Sequence, residues 1–133
     1  MQSRTLSKEA TGLVYGLIVQ FLLGMISNLF VAFPEEGGEN QMWEFARTQL
    51  PVVLHILIGF GLLFGSISLL IHANKAKDVA WLLPARVGFA GILVAFLAGA
   101  RFIPTQGDSY SLLMAIAFIV ALVAYGAGLA RSK

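Results

Sequence analysis

The chain has 133 residues, 58% of them hydrophobic and 12% charged, with a formal net charge of +2. A soluble domain carries about 25% charged residues; this chain has too few polar side chains to cover a water-facing surface, and its mean hydropathy of +0.82 points to lipid as the solvent. Cysteine is absent, which excludes disulfides, thiolate metal sites, cysteine nucleophiles and covalent c-type haem.

The first apolar run is Gly12–Phe33. At about 1.5 Å per residue, roughly 22 residues span about 33 Å, enough for a hydrocarbon core near 30 Å. Pro34 and the acidic, glycine-containing stretch through Glu39 end it. A cleaved signal peptide would need a shorter apolar core and a small-x-small site. Phe30–Pro34 provides neither, so a retained anchor helix is expected. The loop that follows is the longest connection. Its second half, Asn40–Leu50, is expected to form a short interfacial helix capped by Asn40, with Met42, Trp43 and Phe45 dipping into the headgroup boundary.

The second run is Pro51–Ala73, opened by a proline whose missing N–H costs nothing in a first helical turn. The third runs from Pro84 to Ile103 and is broken by Pro104 and Gly107, with Trp81 expected to mark the membrane interface before it. The fourth is Tyr110–Ala130. No run alternates with the period of a barrel strand. The expectation is an all-α, four-helix transmembrane bundle forming a single domain over residues 1–133, with spans near 12–33, 51–73, 84–103 and 110–130.

The charges set an orientation. Arg4, Lys8, Lys75, Lys77, Arg86, Arg131 and Lys133 fall on one side, Arg47 and Arg101 on the other. The positive-inside rule makes the richer side cytoplasmic, so both termini are expected inside. The acids divide the opposite way, with Glu35, Glu36, Glu39, Glu44 and Asp108 outside. The high pI is thus a topology signal; it favours anionic lipid at the inner surface and calls for no nucleic acid.

Val19–Gly24 in the first span resembles Val94–Gly99 in the third, and each of these spans ends in proline, which fits either a parallel two-helix repeat or a chance likeness between apolar spans. Small residues at helical spacing mark packing faces, because lipid gives no hydrophobic drive between helices. They are Gly16, Gln20, Gly24 and Ser27; Gly61, Gly65 and Ser68; Gly88, Gly91, Ala95 and Gly99; and Ala117, Ala121, Ala124 and Gly128.

His55 is the most informative position for chemistry, about one turn inside the outer end of the second span. Imidazole there suits an axial ligand to haem or chlorin, or a proton-transfer group at a quinone site, with Gly59 giving a flat ring access to the backbone. An interfacial histidine bonded to a neighbouring helix or to water is the plain alternative. His72 lies 17 residues further along the same run. That is about 25 Å away and about 100° around the axis, so the two cannot share an iron, and His72 is expected to be solvated. Met114, at the depth of His55, offers a second axial ligand, against simple packing. Asn28, at that depth too, offers a hydrogen bond across the bundle alongside Gln20 and Ser27. Arg101 is expected to snorkel outward; turned inward it would make an anion or quinone-carbonyl site. No acidic residue lies mid-membrane, which counts against proton-coupled export, and no phosphate loop or nucleophile motif is present.

The layout resembles uncharacterised small four-span bacterial membrane proteins, through Leu54–Gly59, Ala95–Gly99 and Ser111–Ala115. The resemblance implies a bacterial inner membrane location and no assigned activity. More remotely, the paired two-helix plan is similar to four-helix b-type haem membrane proteins, from which this chain departs in lacking a second histidine at the depth of His55. Three functional readings follow. The first is a non-catalytic accessory subunit packing in a larger membrane complex or homo-oligomer. The second is a redox-linked subunit binding one haem b or a quinone near the outer leaflet through His55, with haem iron as the metal. The third is a small channel or transporter, with Gln20 lining a polar path.

Overall fold

The computed structural model describes residues 2–132, with side-chain environments from Arg4 onward. Five helices run along the chain: α1 (Gln2–Phe30), α2 (Glu39–Thr48), α3 (Leu50–Ala76), α4 (Val79–Thr105) and α5 (Asp108–Arg131). α1, α3, α4 and α5 are each long and apolar enough to cross a membrane. Their outer faces carry exposed Leu22, Leu57, Phe64, Leu97, Leu112 and Val123. Water would not tolerate such a surface around the whole bundle, and acyl chains would. The protein is an integral membrane four-helix bundle.

The helices extend beyond their apolar runs because local chemistry, not hydropathy, sets their ends. α3 stops where Lys77 takes the left-handed conformation (φ 50°) and its N–H bonds to the Asn74 carbonyl at 3.3 Å. Asp78 then starts α4, its carboxylate accepting from the Ala80 N–H at 3.0 Å. α4 therefore begins before Pro84, which lies inside the helix. α4 ends at Thr105, where Gln106 repeats the left-handed stop at φ 50°. The two-residue links at 77–78 and 106–107 force antiparallel hairpins.

α1 packs on α3 and α5, and α4 packs on the same two, so the four helices make a square with α1 diagonal to α4. Both chain ends lie at one end of the bundle, where the Ser7 and Ser132 hydroxyls meet at 3.1 Å. That end carries Arg4, Lys8, Lys75, Lys77, Arg86 and Arg131; Lys133 lies outside the described residues. α2 covers the opposite end, packing on α3 and α4.

The spacing between the two similar segments also relates buried positions in the core. The buried residues of α1 are Leu6, Ala10, Leu13 and Leu17. Shifted by 75 positions they become Trp81, Ala85, Gly88 and Ile92, all buried on α4. Leu62, Ser66 and Leu69 of α3, shifted by 59, become Ala121, Tyr125 and Gly128, all buried on α5. The first shift is the one that relates Val19–Gly24 to Val94–Gly99. The hairpins α1–α3 and α4–α5 are thus pseudo-equivalent, and α2 with its loops accounts for the difference between the shifts.

Four expectations are corrected. Asn40 does not cap α2. Gly38 is the cap residue, and its N–H donates to Gln41 Oε1 at 3.2 Å, the back-bonding half of a capping box. Met42 does not dip toward lipid but is buried with Ala46 against Val52 and Ile103, while Phe45 packs edge-on to Phe33 at 5.3 Å. Trp81 is no interface marker: it is wholly buried, its ring over Gly128, where a Cβ would lie 2.5 Å from it. On α3, Gly61 faces open space and Ser68 is only half-buried; the buried hydroxyl is Ser66, which donates to the Leu63 carbonyl at 2.7 Å.

Candidate functional site

The bundle is solid at one end and hollow at the other. In the terminus-bearing half, Tyr125 fills the space left by Gly88, and a Cβ on Gly91 would stand 2.8 Å from the Ala117 carbonyl oxygen, so α4 and α5 touch side chain to backbone at Gly88 and backbone to backbone at Gly91. In the α2-covered half a half-enclosed cavity of about 1290 Å³ opens between all four long helices. That exceeds the usual ligand pocket of about 300–1,000 Å³. Leu17, Leu62 and Ile92 belong to the packed core and also line the cavity, forming its floor.

His55, Met114 and Asn28 all line this one cavity. His55 is half-buried on α3, and its ring lies over Gly24 of α1: a Cβ there would be 3.2 Å from His55 Cε1 and 3.6 Å from Nδ1. The backbone carbonyl of Gln20 faces the ring. It closes no hydrogen bond on Nδ1, which is buried without a partner. Met114 is half-buried on α5, its sulfur 3.2 Å from where a Gly99 Cβ would lie on α4. α3 and α5 are diagonal in the square, so the two side chains stand on opposite walls. Asn28 is exposed at the cavity mouth. Arg101 is exposed and does not line the cavity.

Gly59 does not receive a ring. The amide of Gln20 occupies its face, with Nε2 3.3 Å from a Gly59 Cβ position. Gln20 Oε1 and Ser27 Oγ are buried without partners, like His55 Nδ1. The sequence alone suggests cross-bundle hydrogen bonds for Gln20 and Ser27, and a polar path for Gln20; their spacing on the His55-facing stripe with Gly24 is the signal for a joint role. Aromatic pairs stand at the two seams between hairpins. Phe21 stacks on Phe118 at 5.4 Å, and Phe60 meets Phe96 edge-on at 4.8 Å. All four rings line the cavity.

His72 is not simply solvated. Its Nδ1 lies 2.7 Å from Glu9 Oε1, joining α3 to α1 at the terminus-bearing end. Among the described residues no group of three or more His, Asp or Glu side chains is placed to hold a metal ion.

No protein-family model, curated protein or solved structure matches the chain. The class of protein is therefore defined by the fold and cavity alone: an integral membrane four-helix bundle with a half-enclosed hollow at one end.

Proposed function

We propose that this protein is a non-catalytic membrane subunit that holds a lipophilic ligand in the hollow half of its bundle, with His55 as the principal polar contact. The observation that carries this reading is the cavity itself, apolar over most of its wall and bearing a cluster of unpartnered polar atoms. Lipophilic sites take this form, a shaped apolar enclosure with a few convergent polar groups that fix orientation. A redox-linked role follows where the ligand is haem b or a quinone. For haem, His55 and Met114 from opposite walls are the two ligands available, and Asn28 stands at the mouth. Passage of a solute through the bundle is disfavoured because the floor is sealed by Leu17, Leu62 and Ile92.

Assembly with other subunits or a second copy is the companion reading. Gly12, Gly61 and Gly126 face open space on three different helices, where another helix can approach closely. In the orientation proposed here the basic, terminus-bearing end lies in the cytoplasm and the cavity in the outer leaflet of a bacterial inner membrane.

The test is purification in mild detergent followed by solvent extraction, mass spectrometry and an absorption spectrum. The expected result is a co-purifying lipophile that raises the thermal stability of the protein and is depleted in His55→Ala. A preparation that carries no lipophile, and that no added lipophile stabilises, overturns the proposal.

A further inference from the structure

We infer that the ligand is an uncharged ring with a carbonyl or hydroxyl edge, of the quinone and hydroquinone class, seated with that edge on the α1–α3 wall. This rests on the ligand-binding function proposed above and assigns its chemistry.

The pseudo-two-fold supplies the first argument. The shifts of 75 and 59 positions pair Gln20 with Ala95, Ser27 with Phe102 and His55 with Met114. All six residues line the cavity. Every member from the first hairpin is polar and every counterpart is apolar. The glycine platforms keep their symmetry: Gly24 meets His55 as Gly99 meets Met114. At these three positions a symmetric frame thus carries polar groups on the α1–α3 wall and apolar ones on the wall opposite; toward the α2-covered end the order reverses, with Ser111 and Gln106 matching Val52 and Val31. A molecule with one polar edge matches that division.

Charge supplies the second. Among the described residues lining the cavity there is no Lys or Arg, and the one acid is Glu35. A phospholipid phosphate or the two carboxylates of a haem would enter without a cation to meet them, beside a like charge. A neutral head meets no such penalty.

The third argument is the bonding capacity of the wall. Gln20, Ser27 and His55 each present a buried atom without a partner. An amide can turn over, a hydroxyl can rotate and a neutral imidazole can change tautomer, so each can donate or accept. The trio can donate to the oxygens of a quinone and accept from the hydroxyls of a hydroquinone with no change in its own net charge. The seam rings Phe21, Phe60, Phe96 and Phe118 give a flat head faces and edges to pack on. The cavity is only half-enclosed, which leaves an apolar tail a way out.

The chain has two tryptophans. Trp43 lines the cavity, while Trp81 is buried in the packed half. Quenching of Trp43 fluorescence therefore reports occupancy. The protein in detergent is titrated with a decyl-substituted benzoquinone, its hydroquinone, haemin and phosphatidylglycerol. The expected result is saturable quenching by both benzoquinone forms, absent in Trp43→Phe. The double substitution Gln20→Leu with Ser27→Ala weakens binding by about tenfold, and so does His55→Ala, since each change removes buried hydrogen bonds. His55→Gln retains part of the affinity, and unchanged helical circular dichroism keeps the comparison to folded protein. Tight binding of haemin or phosphatidylglycerol without the benzoquinones overturns the ligand class and leaves the binding function standing. Benzoquinone binding indifferent to all three wall residues overturns the assigned seat. Silence toward all four probes, without thermal stabilisation, overturns both proposals.

Discussion

The two halves of this bundle are built from the same four helices and the same repeat, yet one is filled and the other is empty. In the terminus-bearing half, large side chains from one helix meet glycines on the next: Trp81 over Gly128, Tyr125 over Gly88. In the α2-covered half the glycines Gly24 and Gly99 are met by His55 and Met114, which leave the centre open. Lipid-embedded helices gain little from hydrophobicity when they associate, so close packing at one end must hold the whole bundle. The packed half then acts as the foundation, and the other end is free to keep a cavity.

The comparison breaks most readily at Trp81. Trp81→Ala removes the largest wholly buried side chain and should cost about 3–5 kcal/mol by chemical unfolding in detergent. A cost near zero would mean that the foundation lies elsewhere. Gly91→Ala should cost about 1–3 kcal/mol, because its Cβ is directed at the Ala117 carbonyl oxygen and the main chain cannot move aside as a side chain can. Met114→Ala, in the hollow half, enlarges a space already empty and should cost under about 1 kcal/mol, below the usual range for a buried methionine. A small effect is expected at the Glu9–His72 pair, which joins α1 to α3 but is partly exposed. Glu9→Gln should change stability by about 0–1 kcal/mol, measured at low ionic strength. Gly61→Ala should change nothing in the isolated protein, since open space surrounds it; a loss of co-purifying partners in the same variant would mark its face as an assembly surface.

The spans were legible because a bilayer imposes a length, and only long apolar runs satisfy it. Three of the four small-residue faces were legible for a related reason, since glycine and alanine are what permit helices to touch. The face on α3 was misread. It carries Gly59, Gly61 and Gly65 around much of its circumference, and in lipid both the inward and the outward sides are apolar, so hydropathy does not choose between them. Trp81 was misread because tryptophan near a span end commonly sits at the headgroups; the glycine that accepts it, Gly128, is 47 residues away. His55, Met114 and Asn28 could be assigned a common depth from the sequence. The cavity between them could not, because emptiness depends on what fails to fill a space. The polar wall became visible only once the repeat was carried through the whole core, pairing Gln20, Ser27 and His55 with apolar counterparts.

One paired measurement bears most directly on the filled and hollow halves. Gly91 and Ala95 lie one turn apart on the same face of α4, the first against α5 in the packed half and the second on the cavity wall. Leucine is placed at each in turn, and thermal unfolding of the two variants is followed in the same detergent. The expected result is that Gly91→Leu loses the folded bundle while Ala95→Leu keeps the stability of the parent, its new side chain occupying the hollow. Equal and large losses at the two positions would contradict the account, for they would mean that no cavity lies beside Ala95.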